Sequence, residues 1–151
     1  MQLMLADAQA TEALGAALAR ALAGRKGAVI FLEGDLGAGK TTLARAFLRE
    51  LGVTGTIRSP TYTLMEHYRT QVREVLHLDL YRLNDPLELH NLGLADYPPA
   101  LMQWLVEWPQ RGAGVLPNAD ICIRIDPAGG GRKADISGLK QAEEEAIDGK
   151  A

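Results

Sequence analysis

The chain has 151 residues, 47% of them hydrophobic and 23% charged, with a formal net charge of −3. That length suits one domain able to bury a proper core, and the composition is that of an ordinary soluble globular protein rather than a disordered or fibrous one. A slightly acidic chain without a basic stripe does not suit a free-standing nucleic-acid binder, so any role in a nucleic-acid pathway would run through a partner.

The opening residues, Met1 to Asp7, lack the basic start and small-residue cleavage site of a signal peptide. No apolar run approaches the length of a membrane span. The expected location is therefore the cytoplasm, with no membrane partner. Asp7 reads as a helix cap, and Leu14, Leu18 and Leu22 recur at helical spacing, which predicts an amphipathic helix to about Ala23. Ala28 to Leu32 is a short apolar run, predicted to be a strand buried on both faces.

Residues 34–41 read Gly-Asp-Leu-Gly-Ala-Gly-Lys-Thr and fit G-x-x-x-x-G-K-[ST], the phosphate-binding loop or Walker A pattern, at every fixed position. Gly34, Gly37 and Gly39 let the backbone curl so that its N–H groups point at an anion, and the N-terminus of the next helix adds partial positive charge. Lys40 can reach the β- and γ-phosphates, and the Thr41 hydroxyl can hold Mg²⁺. The whole loop, including Asp35, Leu36, Ala38 and the following Thr42, is the candidate nucleotide cradle. Leu43, Phe47 and Leu48 predict the helix that should follow, with Gly52 as its stop.

Ser59-Pro60-Thr61-Tyr62-Thr63 is rich in hydroxyls, and a segment there often senses the γ-phosphate in phosphate-loop proteins. Tyr62 to Tyr68 and Val75 to Leu80 read as strands, the second with Val75, His77 and Asp79 on one face. Asp85, Pro86 and Glu88 form the signature of a capped helix start. Trp104 to Val106 is a buried strand ending at Glu107. Ile121 to Ile125 is a later strand carrying the single cysteine, Cys122, as a plain strand residue. Arg132 to Ile136 is expected to return as a short edge strand.

A phosphate loop that supports hydrolysis or transfer needs a carboxylate near the metal at the end of another strand. Glu107 and Asp79 are both placed for that task. His67, His77 and His90 have no metal-ligand spacing, and each reads as structural or exposed. The tryptophans read as packing. The expected architecture is α/β of the P-loop NTPase type. Its mainly parallel sheet is flanked by helices and carries antiparallel strands at one edge. One domain covers 1–139, and the charged tail, 140–151, is expected to fray.

The phosphate loop, then Ser-Pro-Thr-Tyr-Thr-Leu, His-Leu-Asp-Leu-Tyr-Arg-Leu and Val-Glu-Trp-Pro, in this order and spacing, resemble the TsaE family, also called YjeE. The resemblance covers roughly residues 7–126. It implies an ATPase, with ATP and Mg²⁺ as cofactors, that supports formation of N6-threonylcarbamoyladenosine at position 37 of tRNA. The implied partners are TsaD and TsaB, with tRNA engaged only indirectly through that complex. On the family pattern Thr41 and Glu107 would hold Mg²⁺, and Asp79 would help the metal or the attacking water. Thr11 would lie near the nucleotide, and Arg132 near the base. Gln103 departs from the expected apolar approach to the Glu107 strand. Two other functions compete with a partner-driven ATPase: a small-molecule kinase, which would need an acceptor pocket and an Arg-bearing lid, and a nucleotide-dependent binding module with little turnover. No arginine is obviously placed to supply a catalytic cation within the chain, with Arg58 and Arg82 left open, and the resemblance implies the TsaD–TsaB pair as its source in trans.

Overall fold

The computed structural model describes residues 1–149. A seven-stranded sheet forms the middle layer. Its strands are β1 (Gln2–Leu5), β2 (Ala28–Glu33), β3 (Met65–Arg69), β4 (Glu74–Asp79), β5 (Gln103–Glu107), β6 (Ile121–Ala128) and β7 (Gly131–Ser137), in the order β1-β7-β6-β2-β5-β4-β3. The four central strands, β6, β2, β5 and β4, are parallel. Antiparallel pairs extend both edges: β6–β7–β1 on one side and β4–β3 on the other. The α/β architecture is as expected, but it has antiparallel additions at two edges instead of one.

Alternation along the central strands divides the core. Ala28, Ile30, Leu32 and Leu105 belong to a cluster with helices α1 (Ala8–Ala21) and α2 (Lys40–Glu50). Val29, Leu76, Leu78, Trp104 and Val106 pack on the opposite face with Leu83, Leu89 and Met102. That second face is covered by short 3₁₀ turns over Pro86–Leu92 and Pro109–Gly112. By the same parity His77, Asp79, Gln103 and Glu107 lie on the helix-covered face. No helix among the described residues is long and apolar enough to cross a membrane.

Several elements differ from the sequence expectation, each for a local reason. Tyr62 does not start a strand: residues 60–63 turn, Leu64 takes a left-handed φ of 65°, and its N–H donates to the Pro60 carbonyl at 2.7 Å. The helix opened by Asp85 is a 3₁₀ turn. Asp85 caps it by accepting from the Leu87 N–H at 3.0 Å, and left-handed Gly93 ends it. The segment from Arg132 is not an edge strand, because β1 pairs outside it. The tail is ordered into α3 (Gln141–Ile147), packed on α1, where Arg25 grips Glu143 through Nε at 2.8 Å and Nη2 at 2.7 Å. Lys150 and Ala151, the last two residues of the expected frayed tail, lie outside the described residues.

Gln103 starts β5 and is fully buried. Its Nε2 donates to the carbonyls of Leu22, the C-cap of α1, and Arg25 in the turn beyond, both at 3.2 Å, alongside the Arg25 N–H on the first and Arg73 Nη1 on the second. The polar residue in the apolar approach is thus a clasp between sheet and helix.

Candidate functional site

The site lies at the carboxyl ends of the parallel strands β2, β5 and β4, where open α/β sheets place their ligands. The phosphate loop leaves the end of β2 and enters α2 at Lys40. Gly34, Gly37 and Gly39 have φ of 147°, 78° and 108°, angles that side chains other than glycine rarely adopt. Gly39 is the residue before α2, so its left-handed turn aims the first N–H groups of the helix into the loop.

Two clefts flank the loop, and both are lined by Gly37, Ala38, Gly39 and Thr42. The larger, about 400 Å³, adds Leu36, Lys40, Thr41, Thr61, Asp79, Tyr81, Arg82, Glu107 and Trp108. The smaller, about 260 Å³, adds Thr11 and Arg132 together with Leu5, Ala6, Asp7, Ala8, Gly130 and Gly131. Every predicted site residue except Gly34 and Asp35 therefore lines one cleft or the other. Those two face the site through their backbones: both carbonyls accept hydrogen bonds from the Lys40 ammonium, the Asp35 one at 3.0 Å. Of the two candidate arginines, Arg82 lines the larger cleft with its guanidinium over the Tyr62 ring, whereas the Arg58 carbonyl accepts from the Tyr68 hydroxyl.

Glu107 and Asp79 are register partners on adjacent strands. The Thr41 hydroxyl donates to Glu107 Oε1 at 2.8 Å. Asp79 accepts from the Tyr81 N–H at 3.1 Å and from the Thr61 hydroxyl at 3.3 Å. Burial, and then the neighbouring Glu107 charge, raise the Asp79 carboxyl above its ordinary range, while its two donors oppose the shift. Burial pulls the Lys40 ammonium below its ordinary range, and Glu107, Asp79 and Asp35 pull it back.

The oxygens that converge here, one hydroxyl and two carboxylates, are the hard donors Mg²⁺ takes. Among the described residues no group of three or more His, Cys, Asp and Glu side chains forms a separate metal cage. A cation held by one or two carboxylates plus phosphate oxygens needs none. The donor set therefore fits Mg²⁺ bound with a nucleotide.

Three contributors were not read as functional in the sequence. Trp108 stands directly after Glu107 in a left-handed conformation (φ 57°), and its ring centroid lies 4.2 Å from Lys40 Nζ, a cation–π contact rather than simple packing. Its adjacency to the strand-end acid was the available signal. Asp7 caps α1 through the Ala10 N–H at 2.9 Å and also lines the smaller cleft. His77 is buried with Nε2 at 2.7 Å from Glu107 Oε2. Its place two residues before Asp79 on one strand face was legible, but not its contact with Glu107.

The family described as "Threonylcarbamoyl adenosine biosynthesis protein TsaE" matches residues 5–134. A protein from Haemophilus influenzae, named tRNA threonylcarbamoyladenosine biosynthesis protein TsaE, is 48% identical over 101 residues, covering 67% of this chain and 64% of the relative. A protein of the same name from Bacillus subtilis is 41% identical over 105 residues, covering 70% and 65%. The match thus spans slightly less than two thirds of the length of each relative. The crystal structure of YdiB from Bacillus subtilis superposes with a TM-score of 0.76 at 29% identity, covering 99% of this chain and 93% of that one.

Proposed function

Because the chain belongs to the TsaE family, we propose that it is a Mg²⁺-dependent ATPase of the cytoplasm that supports tRNA threonylcarbamoyladenosine formation by acting on a TsaD–TsaB complex. The observation that carries this reading is the single cleft in which a phosphate loop, Lys40, Thr41, Asp79 and Glu107 meet. The names of the relatives supply the pathway.

Thr41 and Glu107 would hold Mg²⁺, with Asp79 beside them. Bound there, the ion would neutralise charge on the β- and γ-phosphate oxygens. Lys40 exchanges the carbonyls of Gly34 and Asp35 for phosphate oxygens, carrying a partly desolvated positive charge to the transferring group. Asp79, a carboxyl whose proton affinity is raised, orients the attacking water. The smaller cleft takes the nucleoside end, with Thr11 and Arg132 on its walls.

Thr61 couples the cleft to the surface. Its hydroxyl lies 2.7 Å from that of Ser59 and donates to Asp79, so charge arriving at Asp79 pulls on the whole Ser59–Thr63 segment. Leu36 and Tyr62 are 70% and 82% exposed at this end, apolar surface that a protein partner can read. The test is ATP turnover by the purified protein, alone and with TsaD and TsaB, without any small-molecule acceptor. The reading predicts slow turnover alone and a large rise in the complex. Turnover that demands a small-molecule acceptor, or that ignores the partners, would refute it.

A further inference from the structure

His77 is wholly buried and lines neither cleft, yet it touches the acid at the centre of the site. The strands explain its place. β4 and β5 are parallel, with Asp79 opposite Glu107 and His77 opposite Leu105. Residues 77 and 79 share a face, as do 105 and 107. The His-Leu-Asp spacing therefore sets one side chain beside Glu107 and another one pair behind it.

The two carboxylate oxygens of Glu107 have separate partners. Oε1 accepts from the Thr41 hydroxyl at 2.8 Å, and Oε2 lies 2.7 Å from His77 Nε2. His77 Nδ1 is buried without a partner. A proton on Nδ1 would leave a buried donor unsatisfied and turn a lone pair of Nε2 toward the carboxylate oxygen. A proton on Nε2 removes both penalties, so the imidazole donates to Oε2. The last torsion of a glutamate is broad and nearly two-fold, so one hydrogen bond alone leaves the carboxylate free to swing.

We infer that His77 is a positioning residue: by fixing the carboxylate plane of Glu107, it holds Oε1 toward Thr41 and the cleft. The inference rests on the Mg²⁺-nucleotide reading of that cleft. A donor behind a metal-binding carboxylate is worth about 10- to 100-fold in metal affinity or activity.

The experiment uses the full chain and a fluorescent ADP analogue, titrated in EDTA and across a Mg²⁺ series, alongside kcat and KM for ATP with partners present. Thermal melts establish which variants fold. His77→Leu removes the donor while keeping an apolar filler. His77→Asn is polar but too short to reach Oε2, and His77→Gln reaches it. The expected result for Leu and Asn is a Mg²⁺ half-effect concentration raised about 10- to 100-fold. Affinity in EDTA should be unchanged, and kcat should fall while KM at saturating Mg²⁺ holds. Gln restores most of both. The Asn–Gln pair decides the matter if His77→Leu does not fold. Wild-type Mg²⁺ dependence in His77→Asn, or a His77→Gln protein as defective as Asn, would overturn the role of His77 alone. No Mg²⁺ effect on nucleotide binding in the wild type would overturn the metal reading and this role with it.

Discussion

Replacing Gly15 by alanine would drive the first two helices apart. A Cβ there would lie 2.4 Å from the Leu43 carbonyl oxygen and 2.9 Å from the Ala46 Cβ. Ordinary contact starts at 3.4 Å, so α1 must retreat from α2 by about 1 Å. The obstacle is the backbone of a buried helix, which cannot swing aside as a flexible side chain would. Overpacking costs about 1–3 kcal/mol, and alanine recovers about 0.5–1 kcal/mol over glycine inside a helix. The rigid partner puts the strain in the upper part of its range, leaving a net loss of about 1–2 kcal/mol. Each kcal/mol lowers the melting temperature of a domain this size by about 2–4 °C, so a fall of about 2–8 °C is expected. Function should suffer as well. Thr11 rides on α1 with its Cγ2 3.4 Å from the Cβ position of Gly39, so α1 forms a wall of the nucleotide loop. A displacement of about 1 Å in a positioning element can cost about 100-fold in rate, and the moved wall should weaken nucleotide affinity too. Thermal denaturation and nucleotide titration check both effects, with Gly24→Ala as control, since a Cβ there meets nothing within 4 Å. A Gly15→Ala protein with wild-type melting and wild-type nucleotide affinity would refute the reasoning.

Glu107→Gln keeps the shape of the side chain and removes its charge, so nucleotide binding should persist while kcat falls about 10²- to 10³-fold, measured by steady-state turnover with partners. If that variant turns over like wild type while Asp79→Asn is inactive, the two acids exchange roles. Thr61→Ala breaks the tie to Asp79 and should keep the slow basal rate while losing the rise with TsaD and TsaB. Glu143→Gln tests the clasp on α3. Arg25 holds the Glu143 carboxyl below its ordinary value of 4.5, so its ionised form stabilises the fold above that value and the benefit disappears as the pH falls. The variant should melt below wild type at pH 7, and the gap should close as the pH drops well below 4.5; a gap that persists in acid would contradict the ion-pair account.

What could be read from the sequence was what is local in it. The phosphate loop, the apolar β2 and the helix after it are contiguous, and glycine spacing with apolar periodicity identifies them without tertiary information. Glu107 was legible because a strand ends there, and Asp79 because apolar residues flank it. Features that depend on distant partners were not. α3 looks like a charged tail until Arg25, 118 positions away in sequence, takes up Glu143. β1 is four residues long with Met4 68% exposed, and only its pairing with β7 makes it a strand. His77 reads as an ordinary buried histidine until the register of β4 on β5 brings it to Glu107. The turn at residues 60–63 displaces only the start of the strand predicted from Tyr62, because a left-handed Leu64 and the Thr61–Asp79 bond outweigh the β propensity of Tyr62 and Thr63, and β3 begins at Met65.

The central claim is that the Lys40 loop carries the chemistry. It is tested most directly by ATP hydrolysis in the presence of TsaD and TsaB, comparing wild type with Lys40→Ala. The substitution removes the ammonium that the Gly34 and Asp35 carbonyls hold at the cleft and leaves the glycine loop in place. The account predicts a folded variant with weakened ATP binding and no turnover above background. Wild-type turnover by Lys40→Ala in that assay would contradict it.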